Sequence, residues 1–322
     1  LLPTCKRTQL IERCLDALLR QRTTQTFEVV VIDNAPGGNS ARDWRKLAPN
    51  VRLVNEPRRG LSYARNAGIK AALGKVLVFT DDDTVASCDW LENLVSPLFL
   101  RREVAAVTGQ TLPLKLQTEA ERLFEAYGGL GRGDTPAEFD LHWLNSNRSR
   151  LPLWQMGTTA NAAFRADIFS DPAVGLLEER LGAGGPAGAW EDLYLFYRIL
   201  RAGHVIVYQP SAKIFHAHRE SLPELCKQLQ AYRRGEIAFC LLAIRRERES
   251  RALSHLLLWI PYWRAAQLLG ELLRRARGES RFQLSMMIRE WGAYLSGPAA
   301  LFLAHRRVRR LAREASAKAA NG

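Results

Sequence analysis

Two periods alternate along the first part of the chain. Leu10, Ile11, Cys14, Leu15, Leu18 and Leu19 recur at helical spacing, and Phe27 to Ile32 is a short β-branched run of buried-strand type. The same reading gives strands over 51–54, 76–79 and 104–108, and helices over 62–73, closed by Gly74, and over 90–100. Strands alternating with helices of this length predict an α/β fold, a mostly parallel sheet covered by helices on both faces. The pattern loosens between 117 and 152, where a short helix and an irregular excursion through Gly128-Gly129-Leu130-Gly131 are expected. It resumes with a strand over 158–165, a glycine-rich loop over 182–188, a helix from Glu191 that ends at Gly203, and strands over 205–208 and 212–215. From Leu222 the texture is helical: Leu222, Leu225, Leu229 and Tyr232 share a face, and the apolar run from Leu253 to Trp263 is broken by Pro261. The change of texture divides the chain into an α/β part, 1–219, and a helical part, 220–322.

The composition, 322 residues with 47% hydrophobic and 25% charged side chains, excludes collagen-like, disordered and small disulfide-framework proteins. No apolar run has the length of a membrane span, and nothing at the start resembles a leader. The chain opens at Leu1-Leu2-Pro3 without a Met, so a truncated first strand is expected. Cys5, Cys14, Cys88, Cys226 and Cys240 are dispersed, without metal-ligand spacing, which points to free thiols and the cytoplasm.

Charge is unevenly spread. Up to His218 there are 26 basic against 24 acidic side chains, and beyond it 20 against 9, so the net +13 belongs mainly to the tail. Arg245-Arg246, Arg274-Arg275, Arg306-Arg307 and Arg309-Arg310 are interleaved with stretches such as Leu256-Leu257-Leu258-Trp259. Two readings of 220–322 stay open. Basic amphipathic helices would lie on an anionic membrane surface, peripherally at the inner face of the cell membrane; a helical layer on the sheet would merely have a solvated basic face. Nucleic acid is not expected as a partner, because no recognition motif accompanies the charge and the candidate site is acidic.

The candidate chemistry gathers at strand ends. Asp81-Asp82-Asp83 follows the strand 76–79, at the edge where open α/β sheets bind ligands. Three adjacent carboxylates are either a solvated acidic turn or a site for a hard divalent ion shared with phosphate oxygens. Asp33 ends the strand 27–32 ahead of the turn residues Asn34, Pro36, Gly37 and Gly38, placed either to accept from a nucleoside or simply to shape the turn. Arg65 and Asn66 lie near a helix start, where a guanidinium and backbone N–H groups favour a diphosphate. Glu191-Asp192 opens a helix after the glycine loop. The pair serves either as acids in a first turn or as a general base beside a mobile loop. His216 and His218 are either structural or additional metal ligands, with at most one readily facing the site.

The motifs in order are more specific than any one of them. Pro3-Thr4-Cys5-Lys6-Arg7, Val31-Ile32-Asp33-Asn34, Gly60 to Gly68, Thr80-Asp81-Asp82-Asp83, Asp89-Trp90-Leu91, Gly157-Thr158-Thr159-Ala160-Asn161, Gly182-Ala183-Gly184, Glu191-Asp192-Leu193 and His216 to Arg219 together resemble the GT-A glycosyltransferases of family two over about residues 1–219. The resemblance implies a GT-A (Rossmann-like) fold and an inverting, metal-dependent transfer from a nucleotide-sugar donor to an acceptor hydroxyl. Pro3, Thr4, Arg7 and Asp33 would hold the nucleoside, Arg65 and Asn66 would border the diphosphate, and Asp81 and Asp82 would face the nucleotide-sugar. Asp83, with Asp81 and the histidines His216 and His218, would hold Mn2+ or Mg2+. Asp192, helped or replaced by Glu191, would be the base, and Gly157, Thr158, Asn161 and Trp190 would form the acceptor side. A UDP-sugar is the first expectation for the donor, with GDP- and dTDP-sugars open. The acceptor would be a glycan or a lipid-linked sugar, in exopolysaccharide, O-antigen-like or glycolipid synthesis.

Departures narrow the resemblance. Cys5-Lys6 stands where many relatives have an aromatic residue and Asn, and Trp190 stands where a small residue such as glycine is expected before the Glu-Asp pair. No Q-x-x-R-W motif follows that pair, against a processive synthase. A nucleotidyltransferase would carry a glycine-rich phosphate loop where Pro3 to Arg7 has no glycine, and a binding module that merely keeps the fold would not need Asp81, Asp83, Asp192 and His216.

Overall fold

A computed structural model describes residues 1–5, 8–35, 48–279 and 282–320. Strands β1 (Leu2–Thr4), β2 (Val29–Asp33) and β3 (Val51–Asn55) form a parallel sheet in that order, with α1 (Thr8–Leu19) crossing between the first two. The stripe read from the sequence is the reason α1 docks, since Ile11, Cys14 and Leu15 are buried in one core with Val29 and Val31. After α2 (Leu61–Ala71), β4 (Val76–Thr80) runs beside β1, where the Thr80 N–H donates to the Leu1 carbonyl at 3.2 Å.

β4 opens a second sheet with β5 (Thr84–Ala86), β6 (Val104–Pro113), β7 (Ala137–Phe139), β8 (Asn161–Arg165) and β9 (Val205–His216), ordered β4-β8-β6-β9-β5 with β7 against β9. The α/β class, the parallel N-terminal sheet and the helical C-terminal region agree with the sequence pattern. The second sheet is mixed: β6 and β9 run parallel, while β4 with β8, β6 with β8, β5 with β9 and β7 with β9 are antiparallel. Periodicity reports burial, not strand direction, which is why the pattern alone favoured parallel pairing. The two strands expected over 205–208 and 212–215 are one, β9, whose pairing with β6 passes from Gln209 to Lys213. Pro210, with no N–H for the ladder, lies in the skipped segment.

The two faces of β6 feed two cores. Ala106 belongs with Phe79, Phe164 and Phe196, and Val107 with Trp90 and Leu94 of α3 (Trp90–Leu100) and Ile214. The stretch 117–152 contains α4 (Glu119–Ala126), begun by a capping box of Thr118 and Glu121, and α5 (Leu141–Ser146).

Beyond α6 (Glu191–Arg201) and β9, the chain is helical: α7 (Leu222–Glu247), α8 (Ser250–Ser254), a π turn over His255–Trp259, α9 (Ile260–Ala276) and α10 (Leu284–Ala320). The π turn comes just before Pro261, which cannot donate to the helix and sits in the first turn of α9. Close approach of α7 to the start of α6 depends on Gly235, where a Cβ would stand 2.7 Å from the Ala189 carbonyl oxygen. Among the described residues no helix is long and apolar enough to cross a membrane.

Candidate active site

The three adjacent aspartates between β4 and β5 diverge. Asp82 turns inward and accepts from Thr4 Oγ1 at 2.7 Å, tying β1 to the acidic turn. Both it and Thr4 edge the cavity, with their side chains engaged with each other. Asp81 accepts from Arg65 Nη2 at 2.8 Å, and Asp83 Oδ1 lies 3.3 Å from His216 Nε2. One ligand atom each from Asp81, Asp83 and His216 falls within 4.8 Å of the others. The Ala217 N–H donates to the Asp83 carbonyl at 2.9 Å, which pins the end of β9 beside the turn. Arg219 Nη1 stands 3.9 Å from Asp83 Oδ2.

His218 does not join this group. Its Nε2 is 2.7 Å from Glu125 Oε1 and its ring meets Phe124 edge-on, so α4 takes the second histidine and burial lowers its pKa. The expected pair of histidine ligands reduces to His216.

Arg65 is a hub, 2% exposed. Besides Asp81, its Nη1 donates to Glu191 Oε1 at 2.9 Å, so one guanidinium joins the end of β4 to the start of α6. Arg65 also lines the cavity, with its fork on the two carboxylates. Asn66, the next residue, faces the other way: its Nδ2 donates to the Leu177 carbonyl at 3.0 Å and its Oδ1 accepts from the Leu177 N–H at 2.9 Å. Asn66 clamps a loop and does not border the site.

Glu191 and Asp192 differ in environment although adjacent. Glu191 is buried on Arg65, and burial together with the Asp192 charge pushes its pKa up to about 7. Asp192 is partly exposed, lines the cavity and accepts from the Leu193 N–H at 2.8 Å; its pKa is also raised, chiefly by burial. The glycine loop packs over them, with the Leu61 N–H on the Ala183 carbonyl at 2.9 Å. At Gly182, φ 100°, an added Cβ would stand 2.6 Å from Ser62 Oγ, so the loop needs glycine there for both reasons.

Trp190, just ahead of the acids, has φ 73°, the left-handed region where glycine is at ease. The large residue is held there by stacking on Phe239 of α7, ring centroids 5.1 Å apart, while it lines the cavity. Of the other acceptor-side expectations, Gly157 and Thr158 line the cavity, and Thr158 Oγ1 is buried without a hydrogen-bond partner. Asn161 is corrected. It is wholly buried, accepts from Trp90 Nε1 at 2.7 Å and donates to the carbonyls of Gln110 and Ala212 at 3.0 and 2.9 Å.

At the end expected to take the nucleoside, Pro3, Thr4, Cys5 and Asn34 line the cavity. Asp33 is buried at the end of β2 and its Oδ1 accepts from the Ala35 N–H at 3.0 Å, shaping its own turn. Arg7 and the turn residues Pro36, Gly37 and Gly38 lie outside the described residues.

The cavity, about 1880 Å³, runs from these residues to a wall the sequence reading did not assign to the site. Arg132 comes from the irregular 117–152 stretch, Trp154 from a 3-10 turn over Leu153–Met156, Tyr232 and Arg233 from α7, and Trp259, Trp263 and Arg264 from the π turn and α9. Tyr232 was visible only as a member of an apolar stripe. It lies close enough to Asp192 for that charge to raise its pKa, with burial the larger cause, to about 12.

Comparison with known proteins gives the family and the fold. The family described as Glycosyl transferase family 2 matches residues 1–171. The uncharacterized glycosyltransferase EpsJ of Bacillus subtilis is 38% identical over 86 residues, 26% of this chain and 25% of that protein. The glycosyltransferase AglE of Haloferax volcanii is 26% identical over 248 residues, 75% of this chain and 73% of its own. Among solved structures, the mannosyltransferase PcManGT from Pyrobaculum calidifontis, in complex with GDP-Man and Mn2+, superimposes with a TM-score of 0.62 at 20% identity, over 92% of this chain and 85% of that one.

Proposed function

The chain belongs to glycosyl transferase family 2, and from that membership we propose that it moves a sugar from a nucleoside-diphosphate sugar to an acceptor hydroxyl, with inversion and with a divalent ion. The observation that carries the reading is Asp192, a partly exposed carboxylate on the wall of the cavity that Asp81, Asp83 and His216 also edge. The donor set fits the ion: two carboxylates and an imidazole suit Mn2+ or Mg2+, and His216 Nε2 is turned toward Asp83 while its Nδ1 is buried without a partner. A bound ion there supplies charge stabilisation to the departing diphosphate.

In this reading the acceptor oxygen bonds to the anomeric carbon as the bond from that carbon to the diphosphate oxygen breaks. The hydroxyl proton passes to Asp192, and the electron pair of the broken bond leaves with the nucleoside diphosphate. Glu191, engaged by Arg65, is a positioning residue that fixes the first turn of α6. Pro3, Thr4 and Asp33 would hold the nucleoside, a role the resemblance also gives to Arg7, and Gly157, Thr158 and Trp190 would form the acceptor side.

A UDP-sugar remains the first reading for the donor; GDP-sugars gain support from the GDP-Man and Mn2+ in PcManGT. Residues 1–219 would bind donor and perform the chemistry. Residues 220–322 would wall the acceptor side and rest peripherally on the inner face of the cell membrane, in the service of envelope polysaccharide or glycolipid synthesis. Support for surface contact comes from exposed Leu257, Leu258, Tyr262, Leu295 and Phe302 on the basic helices.

The test is a thermal-shift series with UDP, GDP, CDP and dTDP and their sugars, with and without Mn2+. A ligand bound by the native state raises its stability by mass action. One nucleotide class should raise the midpoint only with metal, and Asp83→Ala should remove that shift. A folded protein that responds to none of them would overturn the reading.

A further inference from the structure

The glycine-rich loop over 182–188 is composed of glycine, alanine and proline alone, so it has no polar side chain with which to fix itself. Gly182, Gly184 and Gly188 hold φ 100°, 81° and 88°, the region open to glycine, and such a segment has many conformers unless something outside restrains it. One restraint is the Leu61 N–H on the Ala183 carbonyl. A second comes from the far end of the chain. Arg307 of α10 donates from Nη1 to the Gly184 carbonyl at 2.7 Å and from Nη2 to the Arg59 carbonyl, two residues ahead of α2. One guanidinium thus staples the loop to the turn at 59–60. Among the described residues it is the one side chain that hydrogen-bonds to 182–188.

Packing delivers Arg307 to this place. Ala293, Gly297, Ala300 and Ala304 recur at spacings of three and four along α10. The three alanines are buried, and a Cβ on Gly297 would stand 2.5 Å from Ile237 Cβ of α7. Arg307 takes the next position of that face. From the other flank α7 closes on the loop's exit, where a Cβ on Gly188 would stand 2.9 Å from Ala231 Cβ. At the loop's entry a Cβ on Gly182 would stand 3.4 Å from Glu191 Cδ, so the loop lies directly on the acid that opens α6. Arg59, Gly60, Ala183, Gly184 and Gly185 all line the cavity, whereas no described residue of α10 does.

We propose that Arg307 is a positioning residue for transfer: it latches the glycine loop onto the turn ahead of α2, holds that wall of the cavity against the acids of α6 in one arrangement, and so makes α10 part of the active site from outside the cavity. The role in transfer rests on the glycosyltransferase reading, in which Asp192, next to Glu191, is the base. A base must lie within hydrogen-bond reach of the acceptor oxygen, so a slack wall beside it costs rate, while binding at the strand ends is spared. A solvated surface arginine would leave its two Nη atoms to water. Here each meets a segment distant in sequence, one 123 and the other 248 residues away.

The experiment is amide hydrogen exchange on the full chain and on Arg307→Ala, Arg307→Lys and, as a control, Arg309→Ala, which alters an exposed residue of the same helix. In Arg307→Ala the amides of 182–190 should exchange at least about 10-fold faster, as loss of a charge-assisted hydrogen bond requires, while α7 and α10 keep the parent's protection. Arg307→Lys, able to reach one carbonyl, should recover part of the protection, and Arg309→Ala should match the parent. With the nucleotide-sugar that the thermal-shift series selects, kcat for nucleoside diphosphate release should fall at least about 3-fold in Arg307→Ala, with the donor KM within about 2-fold of the parent's, and should rise again in Arg307→Lys. Unchanged exchange over 182–190, faster exchange spread through α7 and α10, or the parent's turnover with a loosened loop would each overturn the inference. Failure of the transferase reading is visible separately, as no metal-dependent nucleotide shift and no release by the parent. The exchange difference would then mark a latch of the fold, and its role in transfer would be rejected.

Discussion

Arg65 Nη1 lies 2.9 Å from Glu191 Oε1, and the same buried guanidinium holds Asp81 through Nη2 at 2.8 Å. Residues far apart in sequence, at the end of β4 and the start of α6, are thus joined by one buried side chain. Removing the cation would leave buried Glu191 and partly exposed Asp81 without it, and a buried acid stripped of its partner costs about 3–5 kcal/mol. Arg65→Met is expected to unfold at correspondingly lower urea. Arg65→Lys should fall between, because an ammonium cannot reach both carboxylates as a planar fork does. A midpoint for Arg65→Met equal to the parent's would mean that the bridge contributes nothing.

Glu191 also sets a pH dependence whose sign follows from its displaced pKa. The folded value is pushed up to about 7 from an ordinary 4.5, by burial first and Asp192 second. Between those values the folded state keeps a proton that the unfolded chain releases, so stability falls as pH rises through that window. Glu191→Gln removes the group and should flatten that part of the stability profile. Urea unfolding of both proteins at the two ends of the window reads the difference directly; parallel profiles would place the perturbed titration elsewhere.

Asn161 is expected to matter for folding and not for the acceptor. Its amide accepts from Trp90 and donates to two strand carbonyls, of Gln110 and Ala212, all buried. Asn161→Ala leaves those groups unsatisfied, at about 1–3 kcal/mol for each that finds no water. The thermal midpoint should drop by several degrees while metal-dependent nucleotide binding, measured well below that midpoint, stays near the parent's. Selective loss of binding at unchanged stability would return Asn161 to the site.

What the sequence made legible is what local pattern controls. The strand ends carrying Asp33, Asp81 and the His216 segment, and the helix opening at Glu191, follow from periodicity and from turn residues, and they fall where expected. Which way each side chain points is decided by partners distant in sequence. His218 is claimed by Glu125 and Phe124 on α4, Asn66 by Leu177, and Asp82 by Thr4. That Arg132, Tyr232 and Trp259 share one wall was not legible, because the wall is assembled from an irregular stretch and a helical tail. Gly235 gave no warning either, although it lets α7 close against the turn at Ala189.

The assignment of the base turns on two adjacent acids that the fold treats differently. Glu191 is spent on Arg65, whereas Asp192 lines the cavity, is partly exposed and has its pKa raised mainly by burial. A carboxylate must be ionised to take the acceptor proton. Turnover should therefore fall as pH drops through a value above the ordinary aspartate range, an acid limb displaced toward neutrality. Asp192→Asn should lose about 10²- to 10⁴-fold in transfer while retaining the metal-dependent nucleotide shift, the loss typical of a removed general base. Glu191→Gln keeps a group that can accept from Arg65 and should lose less. Release of nucleoside diphosphate across the acid range, followed for the parent and both variants, tests the distinction. Transfer at the parent's rate in Asp192→Asn would give the base role to another group, and a larger loss in Glu191→Gln than in Asp192→Asn would exchange the two acids' roles.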